Sequence, residues 1–322
     1  MKTKVLVLGA NGYVGQAVIR ALQASTWAQP VAGVRGASRL GDIESRKLDA
    51  TDASALGNAL KDVGAVVNCV AGSPAVMVAG AQALKQALAP LGAAAPRLVH
   101  FSSMAIYGGA TGVVEESTPA GTGLGGYAEA KAQTETILAG LPNVVMLRPG
   151  CIYGPSSPQW SERIALLLAD RRIGDLGAAG DGCSNLVYID DVVEAVLQSI
   201  QRADVGGCVF NLAMAQAPSW NDYFIAFARR LGKVPVARIG GRRLKVETKM
   251  LGPALKIMEI GAGRLRFDTR RLPPPIPPSL LRLWGQDIRL SSVQAQQRLG
   301  LAWTPLETGI GRTADAWRAL AL

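Results

Sequence analysis

Short apolar runs recur through the first two thirds of the chain. The run Lys4–Gly9 ends in glycine, and apolar residues then recur from Val14 to Leu22 at spacings of three and four residues. This pattern predicts a strand, a tight turn and an amphipathic helix. Comparable runs follow at residues 30–35, 65–70, 97–102, 144–148 and 208–212, with helix-length segments between most of them. The alternation predicts an α/β fold with a doubly wound parallel sheet and helices on both faces.

The regular alternation ends near Arg148. Residues 154–181 and 213–290 are interrupted by Gly and Pro, including the proline tract 273–278. We therefore expect a smaller C-terminal lobe that covers the open end of the sheet and binds substrate. Within this lobe, apolar residues at helical spacing predict an amphipathic lid helix over 249–260, with a membrane-surface helix as the alternative. No run is long and apolar enough to span a bilayer.

The composition fits one large α/β domain and a smaller lobe. The chain has 322 residues, of which 49% are hydrophobic and 18% are charged, so it has ample apolar material for a core. Its four cysteines lie far apart without CxxC spacing, and no secretory leader is recognisable. We expect buried thiols, no metal site, no disulfide framework and a cytoplasmic location.

The net charge of +10 is concentrated in one segment. Residues 229–289 contain 15 Lys and Arg against 4 Asp and Glu, whereas the rest of the chain is close to neutral. This segment is where an anionic partner is to be sought. An anionic or carrier-bound substrate, an acidic membrane surface and a merely solvated face all remain open. Nucleic acid is not expected, because aromatic residues are few there and no recognised binding module is present.

The turn after the first strand has the pattern GxxGxxG, with Gly9, Gly12 and Gly15. Glycines permit a tight left-handed turn and let the backbone approach a pyrophosphate, which the N-terminus of the following helix attracts. The turn predicts a dinucleotide-binding Rossmann domain. We assign residues 1–152 and 186–212 to this domain, and residues 153–185 and 213–322 to the lobe.

Two arginines indicate which dinucleotide is bound. NAD-binding turns are followed about 20 residues later by an acidic residue that holds the ribose hydroxyls. Here Arg35 stands at that distance from Gly15, Arg39 follows, and no carboxylate precedes Asp42. A guanidinium suits a 2′-phosphate. We expect NADP(H) in preference to NAD(H), although NAD(H) remains possible.

Acid–base chemistry has few candidates, because the only histidine, His100, lies in an apolar run and reads as a buried structural residue. Tyr127 and Lys131 are four residues apart and share one helix face. The ammonium of Lys131 is expected to favour the phenolate and so to lower the pKa of Tyr127. A hydroxyl from 101–108, at the end of a predicted strand, is expected to orient a substrate oxygen.

The motifs taken together resemble the extended short-chain dehydrogenase/reductase family over nearly the full chain. They are GANGYVG at 9–15, LDATD at 48–52, SSMAIYG at 102–108, YAEAK at 127–131, RPGCIYGP at 148–155, NLVYIDDVVEAV at 185–196 and VFNLA at 209–213. The resemblance implies that Tyr127 is the general acid/base, that Lys131 tunes it and binds the nicotinamide ribose, and that Ser103 rather than Ser102 is the catalytic serine. Asp190 and Asp191 are expected to cap a helix.

The resemblance and the turn together define a larger expected site. The expected cofactor-binding residues, besides Tyr127 and Lys131, are Gly9, Asn11, Gly12, Tyr13, Val14, Gly15, Arg35, Arg39, Asp49, Ala50, Val70, Ala71, Gly72, Pro149, Cys151 and Ile152. The expected substrate-binding residues are Ser73, Met104, Tyr107 and Tyr153.

The type of reaction is predicted from the positions at which this chain differs from members of the family it resembles. Met104 and Ala105 stand where nucleotide-sugar dehydratases carry acidic residues, and no arginine stands near Ser184, where many epimerases have one. The C-terminal residues 290–300 and 305–309 look like the 3β-hydroxysteroid dehydrogenase-like and ketone reductase branch. The leading hypothesis is an NADPH-dependent reductase, or reverse dehydrogenase, acting on a hydrophobic or carrier-bound ketone. A nucleotide-sugar epimerase and a non-catalytic NADP-sensing protein are the alternatives, and a monomer or homodimer is expected.

Overall fold

A seven-stranded parallel sheet forms the centre of the molecule. The computed structural model describes residues 2–253, 255, 257–258 and 273–321. The strands of this sheet are β1 (Thr3–Leu8), β2 (Ala28–Val34), β3 (Ser45–Lys47), β4 (Ala65–Asn68), β5 (Arg97–Phe101), β7 (Val144–Pro149) and β10 (Val209–Leu212). Their spatial order is β10-β7-β5-β4-β1-β2-β3. The predicted doubly wound sheet is confirmed.

The chain order of the strands reverses beside β1. Strands β2 and β3 follow on one side of it, whereas β4, β5, β7 and β10 follow on the other. In open α/β sheets a ligand binds in the crevice outside the carboxyl ends of the strands at such a switch point. The turn Gly9–Gly12 leaves β1 at this place, so the topology puts the predicted phosphate-binding turn in the crevice.

Helices cover both faces of the sheet and the C-terminal region. Their bounds are α1 (Tyr13–Ala24), α2 (Ala53–Ala59), α3 (Pro74–Leu88), α4 (Gly126–Leu138), α5 (Arg163–Ala169), α6 (Ile189–Gln201), α7 (Trp220–Arg230), α8 (Gly241–Val246), α9 (Pro278–Trp284), α10 (Val293–Leu299) and α11 (Leu306–Ala321). Short 3₁₀ turns span Ala89–Ala94, Met104–Tyr107, Gly177–Gly180 and Ala203–Val205.

Alternate residues of β1 supply the two hydrophobic cores. Val5 and Val7 pack with α1 and α6 on one face, whereas Leu6 and Leu8 pack with α2 and α3 on the other. Successive side chains of a strand point to opposite faces, and a parallel strand covered on both faces is apolar throughout. Burying each such side chain contributes about 1.5–3 kcal/mol.

Two small parallel sheets join later residues to earlier ones. Strand β8 (Cys151–Tyr153) pairs with β9 (Leu186–Tyr188), and β6 (Gly112–Val114) pairs with β11 (Ile288–Leu290). The Asn185 side chain bonds the backbone of Ile288 and Leu290 at 2.7 and 2.9 Å, which holds β11 in place. The domain limits stated above stay a prediction.

An aromatic cluster fixes the position of α9. Trp284 at the end of this helix is fully buried between Trp220 and Phe224 of α7, with ring centroids at 6.5 and 5.3 Å. Aromatic rings in such offset and edge contacts bury large areas and prefer defined geometries. Because α9 is anchored by its last residue, its preceding turn is presented to the crevice of the sheet.

The predicted lid helix over 249–260 lies partly outside the described residues. Helix α8 continues into a π-turn at Glu247–Leu251, where the amide of Gly252 donates to the carbonyl of Glu247. Pro253 follows and lacks an amide hydrogen, and such local changes of helical pitch accommodate a proline. None of the helices in the described ranges is long and apolar enough to cross a membrane.

Candidate active site

Two connected cavities open at the carboxyl edge of the sheet, and they share Cys69, Val70 and Ala71. The dinucleotide cavity, of about 540 Å³, is lined by Leu8, Gly9, Ala10, Asn11, Gly12, Gly33, Val34, Arg35, Gly36, Arg39, Leu48, Asp49, Ala50, Thr51, Gly72, Ser73 and Val76. The catalytic cavity, of about 1150 Å³, contains Ser103, Tyr127 and Lys131 in its wall.

The glycine turn fits a pyrophosphate. Gly9 has φ of +74°, and a Cβ at Gly15 would lie 2.4 Å from the carbonyl oxygen of Gly9, so a side chain at either position is excluded. Gly12 caps α1 without a side chain, and the first turn of α1 carries no acidic residue. The amides at this helix end are therefore available to an anion. Gly15 itself packs behind the turn and does not line either cavity.

The loop that follows β2 is tied to the glycine turn. The side-chain amide of Asn11 donates to the carbonyl of Ala37 at 3.0 Å, and its oxygen accepts from the amide of Arg39 at 3.1 Å. Arg35 and Arg39 are both exposed and line the dinucleotide cavity. Two guanidinium groups thus stand at one end of this cavity, where they suit a phosphate.

Asp49 lies on the same side of the dinucleotide cavity. Its carboxylate accepts hydrogen bonds from the amide and hydroxyl of Thr51 at 2.9 and 2.8 Å. These bonds lower the pKa of Asp49 below its usual value near 3.8, with a smaller contribution from the charge of Arg35. Asp49 is therefore an ionised hydrogen-bond acceptor at neutral pH.

Ser103, Tyr127 and Lys131 are brought together from two elements. Ser103 follows β5 and caps the turn Met104–Tyr107, and Tyr127 and Lys131 lie in α4. The Ser103 oxygen accepts from the amide of Ala105 at 3.2 Å, which leaves its proton to be donated toward an oxygen on the side of Tyr127, with which the Ser103 side chain interacts. All three side chains face the catalytic cavity, as the sequence motifs predict.

Lys131 is buried beneath the Tyr127 ring. Its Nζ lies 5.9 Å from the ring centroid and donates to the carbonyl oxygen of Phe101 at 2.6 Å. Burial lowers the pKa of Lys131 from 10.5 to about 8, although Cys69 and Glu135 act in the opposite direction. The ammonium is thus mostly charged at neutral pH and loses its proton in a mildly basic range.

The expected lowering of the Tyr127 pKa is not found. Partial burial in the cavity wall raises this pKa above its usual value near 10, and the interaction with the Ser103 side chain offsets part of the rise. The ammonium of Lys131 lies 5.9 Å from the ring centroid and donates to the carbonyl of Phe101, and burial is the largest influence on the Tyr127 pKa. Tyr127 is therefore protonated at neutral pH and able to donate.

His100 is buried on β5 and supports the site without facing it. Asn68 Nδ2 donates to His100 Nδ1 at 3.1 Å, and His100 Nε2 lies 3.1 Å from Thr134 Oγ1. Burial lowers the His100 pKa to about 3, so the ring is neutral. The other side-chain atom of the amide, Asn68 Oδ1, accepts from the amide of Val70 at 3.1 Å, which fixes the loop shared by both cavities.

A buried ion pair holds α4 against the sheet. Arg148 on β7 bonds both carboxylate oxygens of Glu135, at 2.9 and 2.6 Å, and its Nη1 donates to the Tyr107 hydroxyl at 2.9 Å. Tyr107 in turn donates to Asn211 at 2.7 Å and is 1% exposed. The predicted substrate residue Tyr107 therefore lies outside the catalytic cavity and belongs to the scaffold of α4.

The remaining predicted substrate-binding residues lie in three different places: the catalytic cavity, the dinucleotide cavity and the core. Met104 lines the catalytic cavity, whereas Ser73 caps α3 and lines the dinucleotide cavity. Tyr153 is fully buried, with its ring between those of Tyr188 and Tyr223, and does not reach either cavity. A tyrosine in an apolar motif can pack in the core or line a binding site, and here Tyr153 packs in the core.

All but one of the predicted cofactor residues line the two cavities. In the catalytic cavity these are Tyr13, Val14, Val70, Ala71, Tyr127, Lys131, Pro149, Cys151 and Ile152. The hydroxyl of Ser102, beside Ser103, is buried in this wall and has no hydrogen-bond partner among the residues described. A buried unpaired hydroxyl is costly, and a polar ligand group would satisfy it.

The sequence analysis missed the far wall of the catalytic cavity. The residues concerned are Ser157, Pro158, Gln159, Trp160, Ser279, Leu280, Arg282, Leu283 and Gln286, and Phe101, Ala105 and Gly109 line the same cavity from the segment that contains Ser103. Arg282 and Leu283 come from α9, which only the burial of Trp284 places here. The basic surplus of 229–289 is a signal that includes Arg282, but it cannot single out this residue.

Asp191 has a different role from the expected helix cap. Helix α6 begins at Ile189, and Asp190 and Asp191 lie in its first turn, where negative charge is favourable. The Asp191 carboxylate bonds the amide and hydroxyl of Thr304 at 2.9 and 2.6 Å. It therefore anchors the segment before α11. Among the described residues no group of His, Cys, Asp and Glu is arranged to hold a metal ion.

The geometry fits a nicotinamide dinucleotide. The glycine turn and the end of α1 accommodate the pyrophosphate, Asp49 and the arginines lie at one end, and the orphaned Ser102 hydroxyl and Lys131 lie near the other. A proton donor, a second hydroxyl and a buried ammonium then face one cavity. This set can donate a proton to, or accept one from, a substrate oxygen.

Comparisons with known proteins agree with this arrangement. A family model described as the NAD dependent epimerase/dehydratase family matches residues 5–213, which is well over half of the chain. "Protein YeeZ" of Escherichia coli (strain K12) is 31% identical over 144 residues, which cover 44% of this chain and 48% of that protein. The match thus spans about half the length of this curated relative.

Solved structures resemble the whole chain. A protein of Burkholderia cenocepacia J2315 ascribed to the epimerases has a TM-score of 0.74 at 22% identity, over 98% of each chain. The UDP-glucuronic acid 4-epimerase of Bacillus cereus, solved with UDP-glucuronic acid and NAD, has a TM-score of 0.71 at 17% identity, over 99% of this chain and 100% of its own. At these identities the likeness shows the fold. The matches do not support the narrower 3β-hydroxysteroid dehydrogenase-like branch. The chain belongs to the NAD dependent epimerase/dehydratase family.

Proposed function

We propose that the protein is an NADP(H)-dependent oxidoreductase that interconverts a ketone and a secondary alcohol on a largely apolar substrate. The observation that carries this proposal is the placement of Tyr127, Ser103 and Lys131 in the wall of one large cavity. Burial raises the pKa of Tyr127, so the phenol is protonated at neutral pH, which is the form that donates a proton when a carbonyl group is reduced.

The chain supplies positioning and proton transfer. Ser103 donates a hydrogen bond from its hydroxyl to the substrate carbonyl oxygen and orients that oxygen toward Tyr127. Tyr127 then transfers its phenolic proton to that oxygen as the carbon is reduced. A bound NADPH supplies the hydride. The developing phenolate is stabilised by the Lys131 ammonium beneath the ring, which is itself held by the carbonyl of Phe101.

The preference for NADP(H) rests on the end of the dinucleotide cavity. Arg35 and Arg39 are exposed there, and the backbone amide of Arg39 donates to Asn11 Oδ1 at 3.1 Å, which holds the loop. A 2′-phosphate offers these guanidinium groups charge-assisted hydrogen bonds that a ribose hydroxyl does not offer. The B. cereus epimerase was solved with NAD, so this preference is a property proposed for the present chain alone.

The character of the far wall supports an apolar substrate with one anionic group. Trp160, Leu280 and Leu283 are apolar residues that line the catalytic cavity together with the catalytic residues, and the exposed Arg282 lines it beside them. Pockets of this kind gain affinity from apolar contact and orientation from a few polar groups. Met104 next to Ser103 extends the apolar surface to the reacting centre.

Nucleotide-sugar epimerisation is the second candidate, and the comparisons favour it over ketone reduction. The family name and the B. cereus 4-epimerase point to it. The same Tyr127 and Lys131 would serve, since epimerisation passes through a transient ketone. The cavity of about 1150 Å³ is large enough for a substrate with several rings as well as a nicotinamide.

One set of assays separates the two candidates. The purified protein is incubated with NADPH and a panel of apolar ketones, with and without a carboxylate, and oxidation is followed by absorbance. In parallel, UDP-sugars are incubated with NAD and NADP, and epimers are resolved by chromatography. NADPH oxidation that is lost in Tyr127→Phe supports the first candidate. Epimer formation without net change of the cofactor establishes the second, and inactivity in both assays contradicts both.

A further inference from the structure

Exposed apolar side chains are concentrated in one short segment. Eleven large apolar residues are exposed among the described residues, and five of them lie between residues 246 and 258. They are Val246 (46% exposed), Met250 (68%), Leu251 (44%), Ile257 (71%) and Met258 (54%). Isolated exposed apolar residues are ordinary, whereas a contiguous group marks an interaction site. We refer to these five residues, with the cations described next, as the basic apolar face.

The same segment is positively charged. Arg242, Arg243, Lys245 and Lys249 are exposed, and the only acidic residue in 240–258 is Glu247. Glu247 does not neutralise this face, because it points inward and is 4% exposed. Lys245 and Lys249 share one side of the helix, and Val246 and Met250 share the adjacent side. The face therefore combines aliphatic side chains with a positive charge.

A buried clamp holds the segment in this outward position. Arg172 pairs with Glu247 at 2.7 Å, and its Nη1 donates to the carbonyl of Pro274 at 2.9 Å. One guanidinium thus joins the helix that carries the face to the proline tract 273–278. Leu244 and Thr248 are buried on the inner side of the same helix. Since the inner side is packed, the basic apolar face cannot turn inward to bury its side chains.

The composition of the face selects one kind of partner. A second copy would bring positive charge against positive charge, which is unfavourable. An acidic protein would pair with the cations, and Arg242 and Arg243 are of a residue type common in protein hot spots, but the aromatic anchors that accompany it there, Trp and Tyr, are missing from 240–258. Aliphatic side chains flanked by Lys and Arg suit an anionic bilayer, where the cations meet headgroups and the apolar groups enter the interface.

We propose that the basic apolar face docks on the surface of an anionic phospholipid membrane. The inference goes beyond the reaction proposed above, because it concerns where the protein sits and not what it converts. Helix α9 packs against the π-turn Glu247–Leu251 and also lines the catalytic cavity through Leu280, Arg282 and Leu283. Docking would accordingly place this wall of the cavity next to the bilayer.

Vesicle flotation of the full chain tests the proposal. The vesicles consist of phosphatidylcholine alone or of phosphatidylcholine mixed with phosphatidylglycerol, at low and high salt. We expect flotation with the anionic vesicles only, and less of it at high salt. Arg242→Gln/Lys245→Gln is expected to weaken binding roughly fivefold per charge removed. Met250→Glu/Ile257→Glu is expected to abolish flotation.

Matched controls separate docking from general effects of charge or folding. Lys85→Gln removes an exposed cation elsewhere, and Val293→Glu adds a carboxylate at a valine that is 51% exposed. Both controls are expected to float like the parent chain. Every variant is checked by circular dichroism and thermal unfolding, and the altered residues of the face are exposed, so the fold should be retained.

Three results would overturn the proposal. The first is failure of the parent chain to float with anionic vesicles. The second is flotation that the face variants and the controls reduce equally. The third is binding of an acidic carrier protein, such as acyl carrier protein, that is lost when Met250 and Lys245 are replaced but is only weakly reduced by anionic vesicles. Such binding would assign the face to a protein partner.

Discussion

The Asn11 side-chain oxygen accepts a hydrogen bond of 3.1 Å from the backbone amide of Arg39. Asn11 belongs to the glycine turn predicted to bind the pyrophosphate, and Arg39 belongs to the loop after β2 that borders the dinucleotide cavity. One asparagine therefore fixes the distance between the pyrophosphate position and the arginines proposed to bind a 2′-phosphate. We therefore expect the proposed preference for NADP(H) to depend on this loop being held in place.

Replacing Arg35 by serine is expected to weaken NADPH binding. A hydrogen bond to a charged group contributes about 1.5–3 kcal/mol, so the dissociation constant should rise roughly tenfold to hundredfold. NADH binding should change little, because NADH has no 2′-phosphate. Fluorescence titration of both cofactors measures this difference. Equal affinities of the parent chain and Arg35→Ser for NADPH would mean that Arg35 only faces solvent.

Asn11→Ala provides the comparison for Arg35→Ser. It removes two hydrogen bonds to the loop, at 3.0 and 3.1 Å, without removing a charge. We expect weaker binding of NADPH with both arginines still present, and a smaller loss for NADH. If Asn11→Ala and the parent chain bind NADPH alike, the loop is held by other contacts.

Tyr127→Phe is expected to lower kcat of the proposed reduction by roughly a hundredfold to ten-thousandfold, the usual contribution of a general acid. NADPH affinity should be retained, because the ring that covers Lys131 is preserved. Steady-state kinetics and a cofactor titration together check this split. A kcat close to that of the parent chain would show that another group donates the proton.

The reduction should lose activity as the pH rises through about 8. The buried Lys131 has its pKa lowered to about 8, whereas the pKa of Tyr127 is raised above its usual value near 10. Below pH 8 the ammonium and the phenol are both protonated, and above it the ammonium that stabilises the phenolate is lost first. A pH profile of kcat/KM measures this, and in Lys131→Arg the decline should move to higher pH. An unchanged decline in that variant would assign it to another group.

Arg148→Met is expected to destabilise the fold by about 3–5 kcal/mol, because it leaves the Glu135 carboxylate unpaired in a site where it is 12% exposed. Chemical denaturation measures the free energy of unfolding. Arg148→Met/Glu135→Leu should recover much of the loss, since no unpaired charge then remains. A single variant as stable as the parent chain would mean that water reaches Glu135.

Arg282→Gln is expected to lower activity on charged substrates more than activity on neutral ones. Activity on ketones with a carboxylate should fall roughly tenfold or more through KM, as for a lost charge-assisted hydrogen bond, whereas neutral ketones should be affected little. Arg289→Gln is the control, because Arg289 is exposed in the same basic segment and pairs with Asp287 at 3.3 Å. Equal effects on charged and neutral ketones would remove Arg282 from substrate recognition.

The parallel sheet and its helices could be predicted from the pattern of apolar residues, because each of these elements is determined by residues that are close together in the sequence. The alternation of apolar runs and helix-length segments predicts the order of β1, α1 and the strands that follow, and Gly9 and Gly15 mark the turn because only glycine fits there. The spacing of Tyr127 and Lys131 likewise places both on one side of α4.

The sequence by itself determined the parallel sheet, the glycine turn and the side chains able to move a proton, since each depends on residues adjacent along the chain. Tertiary structure alone decided that Tyr107 and Tyr153 pack in the interior, that Asp191 holds Thr304, and that Arg282 reaches the cavity. It also decided the direction of the Tyr127 pKa shift, where burial outweighs the hydrogen bond with Ser103. The physical reason is that burial and long-range contacts depend on which distant segments pack together. In the irregular C-terminal lobe no periodic pattern of apolar residues predicts that packing.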